Sequence, residues 1–527
     1  MIAHSRHPRI AVIGAGPGGL AAGILLAGRG LDVTIYERQP EIGGRTGRVT
    51  AGPYSFDLGP TFFLMPHVLQ EIFAAVGRDL YREVELTRLD PMYRLVIGSP
   101  DAPDVTIDAT QNPEEMARRI SAVHAADGAR FGAFVEHNRR KLAAAEPILR
   151  RPIRSLLDLV RTDAVKAAGV LNPHLSVHDL NSRYFEHPAV RLAVGFQSKY
   201  LGMSPKEAPS LFTILPFIEY EYGVWHPKGG CHALVRAMAR VFEDLGGRIE
   251  TGIEVERVEF EGRRVVGLRV RRDGAERRER CDHAVCNADA TWALKRLVPS
   301  AVRGRETDAR IDAKRYSCST FMLYLGVDGE VDLPHHTIRT ARGYEQNLDE
   351  IGREGGAGGR ISEDPSYYIC NPSRTDPTLA PPGQSALYVL MPVPNTKSGI
   401  DWPAERAAAR ARLRVRLRVV LGGVLGGRFR AERCITPRVW GEMGINFGAT
   451  FNLAHGLDQM LHRRVPHRAP FADGMWFVGG GTHPGSGLPV IFLSAQITAG
   501  MLCDELGVSG IETRSAPARG AGELVGV

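Results

Sequence analysis

The chain has 527 residues, room for two or three domains, and its 43% hydrophobic and 24% charged content is that of a globular protein. A net charge of +7 would suit an anionic partner, yet no zinc-finger, RNA-binding or basic-zipper spacing accompanies it, so no nucleic-acid partner is expected. The seven cysteines are odd in number and include no CxxC, which argues against a disulfide framework or a metal site and fits a reducing cytoplasm; no apolar run approaches the ~20 residues that span a bilayer.

Arg9 to Ile13 (RIAVI) is a short β-branched run, predicted as a buried parallel strand. Gly14-Ala-Gly16-Pro-Gly-Gly19 follows with G-x-G-x-x-G spacing: Gly14 for the tight turn, Gly16 for close approach of a pyrophosphate, Gly19 for helix–strand packing. Pro17 suits the first turn of the helix predicted through LAAGILLAGRG, whose N-terminal N–H groups and dipole face phosphate. A second strand, LDVTIYE, ends at Glu37, 18 residues after Gly19, where a carboxylate accepts ribose hydroxyls and disfavours a 2′-phosphate. A glycine loop alone is weak evidence; strand, loop, helix, strand and acid in this order define a site for NAD or FAD.

Arg38 and then Gly43-Gly44-Arg45 come directly after the ribose acid, where two glycines let the chain pass a pyrophosphate and Arg45 offsets its charge. Asp57-Leu-Gly59-Pro60-Thr61 follows. Residues 76 to 219 read as mostly helical, and within them 148–171 mixes Arg150, Arg151, Arg154, Arg161 and Lys166 with Leu149, Ile153, Leu156, Leu157 and Val160, a basic amphipathic pattern compatible with a lipid surface. FIEYEYGVWHPKGG then carries Glu219 and Glu221 with Tyr220, Tyr222 and Trp225. GGRIETGIEVERVEFEGRRVVGLRV predicts strands turning at Glu261-Gly262 and contains Val255; a buried strand (AVC) then ends in Asn287-Ala288-Asp289. SCSTFMLYLGV and SALYVLMPV read as strands, 351–360 as a mobile glycine-rich loop, and an arginine-rich helix begins at Trp402. MWFV followed by Gly479-Gly480-Gly481-Thr482-His483-Pro484-Gly485 and a helix near Pro489 repeats the strand, glycine loop, helix order.

The Gly43-Gly44-Arg45 stretch resembles the second fingerprint of amine oxidase and glutathione reductase-like flavoproteins, which implies FAD. Across Arg9 to about Leu506 the chain resembles the bacterial phytoene and diapophytoene desaturases, through AVIGAGPGGLAAGILLAGRGLDVTIYERQPEIGGR, FIEYEYGVWHPKGGCHALVRAMA and GGGTHPGSGLPVIFLSAQ, with Leu493 as a departure. This resemblance implies an α/β fold with a discontinuous Rossmann-type, glutathione reductase-like FAD-binding domain (1–75, 220–300 and 470–508), a mixed sheet-plus-helix substrate domain (76–219 and 301–469) and a flexible tail (509–527). It implies an FAD site drawn from Gly14, Gly16, Gly19, Glu37, Arg38, Gly44, Arg45, Gly59, Pro60, Thr61, Val255, Gly480, Gly481, Pro489 and Val490. No metal is expected and no side chain is assigned to catalysis. The function implied is desaturation of a long-chain isoprenoid at the cytoplasmic membrane surface, with a quinone or oxygen as electron acceptor. A carotenoid oxidase or isomerase on the same scaffold, or a non-catalytic flavin-binding protein, remain alternatives; the THPG stretch counts against an amine oxidase.

Overall fold

A computed structural model describes residues 8–159, 169–352, 356, 358–421 and 428–508. Strand β1 (Arg9–Ile13) lies between β2 (Asp32–Glu37) and β13 (His283–Cys286), with β9 (Arg248–Thr251) outside β2 and β19 (Met475–Phe477) outside β13. Every pairing is parallel; Val12 sits opposite both Ile35 and Val285. The two faces of β1 enter different cores. Ile10 and Val12 pack with helices α1 (Pro17–Ala27), α4 (Cys231–Asp244) and α6 (Leu488–Leu506), while Ala11 and Ile13 pack with Val258 and Leu268. A strand covered on both sides needs apolar residues at consecutive positions, which is why RIAVI does not alternate. The second cover is an antiparallel layer, β10 (Glu254–Glu261), β11 (Arg264–Arg272) and β12 (Ala275–Glu279).

The other large sheet has seven strands in the order β18 (Phe429–Ile435), β14 (Ser319–Asp328), β17 (Gln384–Val393), β16 (Tyr367–Cys370), β15 (His336–Arg339), β6 (Tyr93–Ile97) and β7 (Val105–Ala109). One face receives helix α5 (Trp402–Val420), which buries Trp402, Ala409, Leu413 and Leu417 and directs Arg410 and Arg414 to Glu432 and Arg412 to Glu363. The other face receives the hairpin β3 (Arg48–Ala51) and β4 (Tyr54–Asp57), whose Tyr54 and Phe56 pack with Tyr324 and Tyr388. The region 76–219, expected to be mostly helical, supplies β6 and β7 and also β5 (Leu86–Arg88), which pairs with β8 (Trp225–Pro227). These strands are only three to five residues long, too short to reveal a period of two beside the long helix α2 (Ala125–Leu149).

The basic stretch 148–171 is described only in part, and Val160, Arg161 and Lys166 lie outside the described residues, as do part of 351–360 and the tail 509–527. Within the described part, Arg150 is held through Nη1 and Nη2 by the carboxylate of Glu71, and Ile148 and Ile153 are buried, whereas Leu157 is 80% exposed. Arg150 is thus engaged in an ion pair with the buried Glu71. Among the described residues, no helix is long and apolar enough to cross a membrane.

Candidate functional site

A cleft of about 500 Å³ opens where β1, β2, β13 and β19 end at their carboxyl termini, the usual place for a ligand in a parallel sheet. Its wall includes Gly14, Gly16, Glu37, Arg38, Gly44, Arg45, Val255, Gly480 and Gly481 of the residues expected from the sequence. Gly19, Gly59, Pro60, Thr61, Pro489 and Val490 do not form its wall. Gly19 packs behind the first turn, where a Cβ would stand 2.2 Å from the Gly14 carbonyl oxygen. Pro489 and Val490 begin α6, and their neighbour Ile491 reaches the cleft instead.

At the first turn, Gly14 takes φ +98° and donates its N–H to the Tyr36 carbonyl (2.8 Å), so the chain reverses directly over the end of β2. A Cβ on Gly16 would come within 2.9 Å of Asn287 Nδ2; glycine keeps the amino end of α1 open to the cleft. Glu37 is buried, with Oε2 accepting from the Ala15 N–H and Oε1 from the Gln39 N–H, both at 2.9 Å. These bonds fix the carboxylate at the cleft wall and leave lone pairs for hydroxyl donors. Arg38 lies 5.9 Å from the centre of the Trp292 ring, which also lines the cleft.

Arg45 donates from Nη1 to the Thr450 carbonyl (2.8 Å) and to Asn452 Oδ1 (3.0 Å). Burial lowers the affinity of its guanidinium for the proton, with Asp289 acting in the opposite sense. Among the described residues it forms no ion pair, so a cation stands in the cleft without a bonded counter-charge. At the far end of the chain, the buried Arg464 was not anticipated from the sequence. It donates from Nε to the Thr482 carbonyl (3.2 Å) and from Nη2 to the Gly480 carbonyl (3.1 Å), and burial pulls it down to about 10. It clamps the Gly479–Thr482 turn from beneath. His483 is occupied by the Ile148 carbonyl, 3.0 Å from its Nε2.

The Asp57–Thr61 segment runs from the cleft into the seven-stranded sheet. Asp57 accepts from the N–H groups of Cys231 (2.9 Å) and His232 (3.1 Å), capping α4. Leu58 lines the cleft; its carbonyl accepts from the Tyr324 hydroxyl (2.6 Å), and that of Gly59 from Tyr388 (2.8 Å). Thr61 Oγ1 shares a hydrogen bond with the Tyr368 hydroxyl (2.8 Å), which also meets His336 Nδ1 (2.6 Å). The next residue, Phe62, stacks on His336 with ring centres 4.0 Å apart and tilts against Tyr93 and Tyr200. The segment that leaves the cleft at Leu58 thus leads into a cluster of packed aromatic rings. His335, His336 and Cys370 meet there with potential ligand atoms within 4.8 Å of one another, a grouping that sequence spacing did not suggest.

The two acids of the FIEYEY helix, α3 (Ile214–Tyr222), part company. Glu221 pairs with Arg139 (2.9 Å) at the surface. Glu219 is fully buried; its Oε2 accepts from the Tyr93 hydroxyl (2.9 Å) and from Gln197 Nε2 (3.0 Å), while Oε1 has no hydrogen-bond partner. Tyr220 packs edge-on against Phe131, Tyr222 rests on His67, and the Trp225 indole donates to the Tyr222 carbonyl.

A parallel sheet whose strands end on a glycine-lined cleft with a buried carboxylate in its wall is the arrangement of a dinucleotide-binding fold. Residues 17–500 match the family described as flavin containing amine oxidoreductase. The chain is 40% identical over 503 residues to a 4,4′-diapophytoene desaturase (4,4′-diapolycopene-forming) of Methylomonas sp, covering 95% of this chain and 96% of the relative. It is 35% identical over 502 residues to a zeta-carotene-forming phytoene desaturase of Myxococcus xanthus, covering 94% of each. Among solved structures, putrescine oxidase bound to putrescine superposes with a TM-score of 0.59 at 12% identity, over 95% of this chain and 99% of that one. An oxidoreductase from Methanosarcina mazei gives 0.56 at 18% identity, over 94% and 100%; at such identities the likeness is one of fold. The chain belongs to the flavin-containing amine oxidoreductase family, and its cofactor is FAD. The residues present fit that group: the open amino end of α1 and the unpaired Arg45 suit a pyrophosphate, and the buried carboxylate of Glu37 suits a ribose.

Proposed function

We propose that this protein is an FAD-dependent desaturase that introduces double bonds into a long-chain isoprenoid of the phytoene or diapophytoene kind. The observation that carries this reading is end-to-end similarity to curated desaturases of such substrates. The aromatic cluster around Phe62 supports it, since a polyene precursor offers apolar surface and no charge.

In this reading Gly14, Gly16, Gly44 and Arg45 hold the pyrophosphate, Glu37 the ribose and Val255 the adenine side. The flavin ring lies toward Gly59–Thr61 and Gly480–Gly481, and Gly19, Pro489 and Val490 shape the helix ends behind. Residues 1–75, 220–300 and 470–508 form the cofactor part and the remainder of the described chain the substrate part. Bound FAD supplies a two-electron oxidation by accepting hydride. The protein's share is to orient the allylic CH₂–CH₂ unit, exclude water and keep the cofactor turn rigid through Arg464.

The experiment is expression in hosts that make either phytoene or diapophytoene, followed by pigment analysis. New conjugated products in one host support the reading. Unchanged precursor in both, with FAD-loaded protein and a quinone present, would sink it; oxidised termini or cis–trans change alone would move the protein to the oxidase or isomerase alternative. The substrate's insolubility places the enzyme on the cytoplasmic membrane surface in this reading, with a quinone or oxygen taking the electrons. Flotation with anionic liposomes should show binding that weakens with salt; absence of binding at low salt would contradict it.

A further inference from the structure

We propose that Glu219 is the proton acceptor of the dehydrogenation, an assignment that rests on the desaturase reading above. Taking hydride from one CH₂ leaves an electron-poor allylic carbon. The C–H bond on the neighbouring carbon then breaks, its electron pair becomes the new π bond, and its proton passes to Oε1 of Glu219. FAD is the oxidant, so two electrons and one hydrogen leave as hydride and the second hydrogen leaves as a proton.

Three observations carry the assignment. First, an ionisable carboxyl with no exposed surface and no cationic partner among the described residues is costly, and a glutamine would accept the same two hydrogen bonds from Tyr93 and Gln197 without that cost. An acid kept there has work that an amide does not do. Second, Oε1 has no partner within hydrogen-bonding geometry, although the Tyr200 hydroxyl faces the same carboxyl, so it is the acceptor left open in this group. Third, Glu219 is joined by direct contacts to the segment that leaves the cleft after Leu58. Tyr93 donates to Glu219, and the rings of Tyr93 and Tyr200 lie against Phe62, the residue after Thr61. Glu221, two residues on and neutralised by Arg139, has none of these properties.

The titratable groups facing Glu219 are Tyr93 on β6, Tyr200 in the 196–201 turn and Tyr220 on its own helix. All three are neutral near neutral pH, their ionisation pushed upward by burial. Burial likewise raises the Glu219 carboxyl to about 7, against the lowering effect of Gln197, Tyr93 and Tyr200, which is the range suited to a general base at physiological pH.

The test compares wild type, Glu219→Gln and Tyr93→Phe, each loaded with FAD, using phytoene and diapophytoene in liposomes. Glu219→Gln should keep its bound FAD and be no less stable to heat, but lose about a hundredfold or more in single-turnover desaturation. The wild-type rate should rise with pH through a midpoint near 7, and Tyr93→Phe, which removes a donor to the carboxylate, should move that midpoint upward. Infrared difference spectra of the cofactor-free protein should show a buried carboxylic acid titrating in the same range, absent from Glu219→Gln. An active wild type whose Glu219→Gln variant keeps a third or more of the rate overturns the proposal. So does a slowed variant with no acid titrating by infrared and no Tyr93→Phe shift. A wild type that makes no product overturns the desaturase reading itself, and the two failures are thereby told apart.

Discussion

Glu219 and Arg45 are both ionisable groups held without a counter-ion, and each has a measurable consequence. For Glu219 the folded carboxyl titrates at about 7 against an ordinary 4.5. Between those values the folded state holds a proton that the unfolded chain has released, so stability falls as pH rises through this window. Glu219→Gln should therefore stabilise the fold above pH 7, by up to roughly 3 kcal/mol, and have no such effect below pH 4. Denaturant unfolding at the two pH values checks this; equal effects at both would contradict it. Arg45→Met should weaken FAD by roughly tenfold to a hundredfold, about 1.4–2.8 kcal/mol, and should cost the cofactor-free protein only the hydrogen bonds to Thr450 and Asn452, about 1–3 kcal/mol. Equilibrium dialysis and thermal unfolding without FAD separate the two effects. The sequence pointed to Arg45 through its place after the ribose acid, but it could not distinguish Glu219 from Glu221. That distinction depends on Arg139 and Tyr93 arriving from other parts of the chain.

At the scale of elements, what could be read in advance was what lies close together in the chain. The order β1, α1, β2 and Glu37 is complete within 29 residues of Arg9, and each part has its own local signal. The two long strands β14 and β17 were also legible, because ten-residue apolar runs leave little choice. Strands β6 and β7 were not, since they exist by pairing at the end of a sheet whose other members come more than 200 residues later. Arg464 and Asn452 escaped for the same reason: an arginine gives no sign in sequence that its partners will be the carbonyls of a distant glycine turn. The packing of α1 against β1 gives a sharp test. In Gly19→Ala the new Cβ would meet the Gly14 carbonyl oxygen at 2.2 Å, backbone that cannot swing aside. The substitution should cost about 1–3 kcal/mol, visible as a lowered thermal midpoint even without FAD. An unchanged midpoint would show that the helix can move away from the strand.

In the whole molecule, the cofactor cleft joins pieces that the chain separates widely: Gly14 and Glu37 near the start, Val255 and Asn287 in the middle, Asn452 and Gly480 near the end. A ligand that binds only when all of these are in place stabilises the entire assembly. Saturating FAD at a hundred times its dissociation constant should add about 2.7 kcal/mol, and the thermal midpoint should climb with the logarithm of FAD concentration. A midpoint indifferent to FAD would mean that the cleft does not require the complete fold. The edge strand β19 joins the parallel sheet only through β13, and it lies at Met475–Phe477. During synthesis the other four strands of this sheet are therefore made before β19, the last wall of the cleft, exists. Until then the outer edge of β13 is bare and the cleft lacks one of its walls. With the FAD site proposed above, a chain truncated shortly before Met475 should emerge colourless and aggregation-prone whatever the supply of flavin, and a truncated chain that keeps flavin would contradict this.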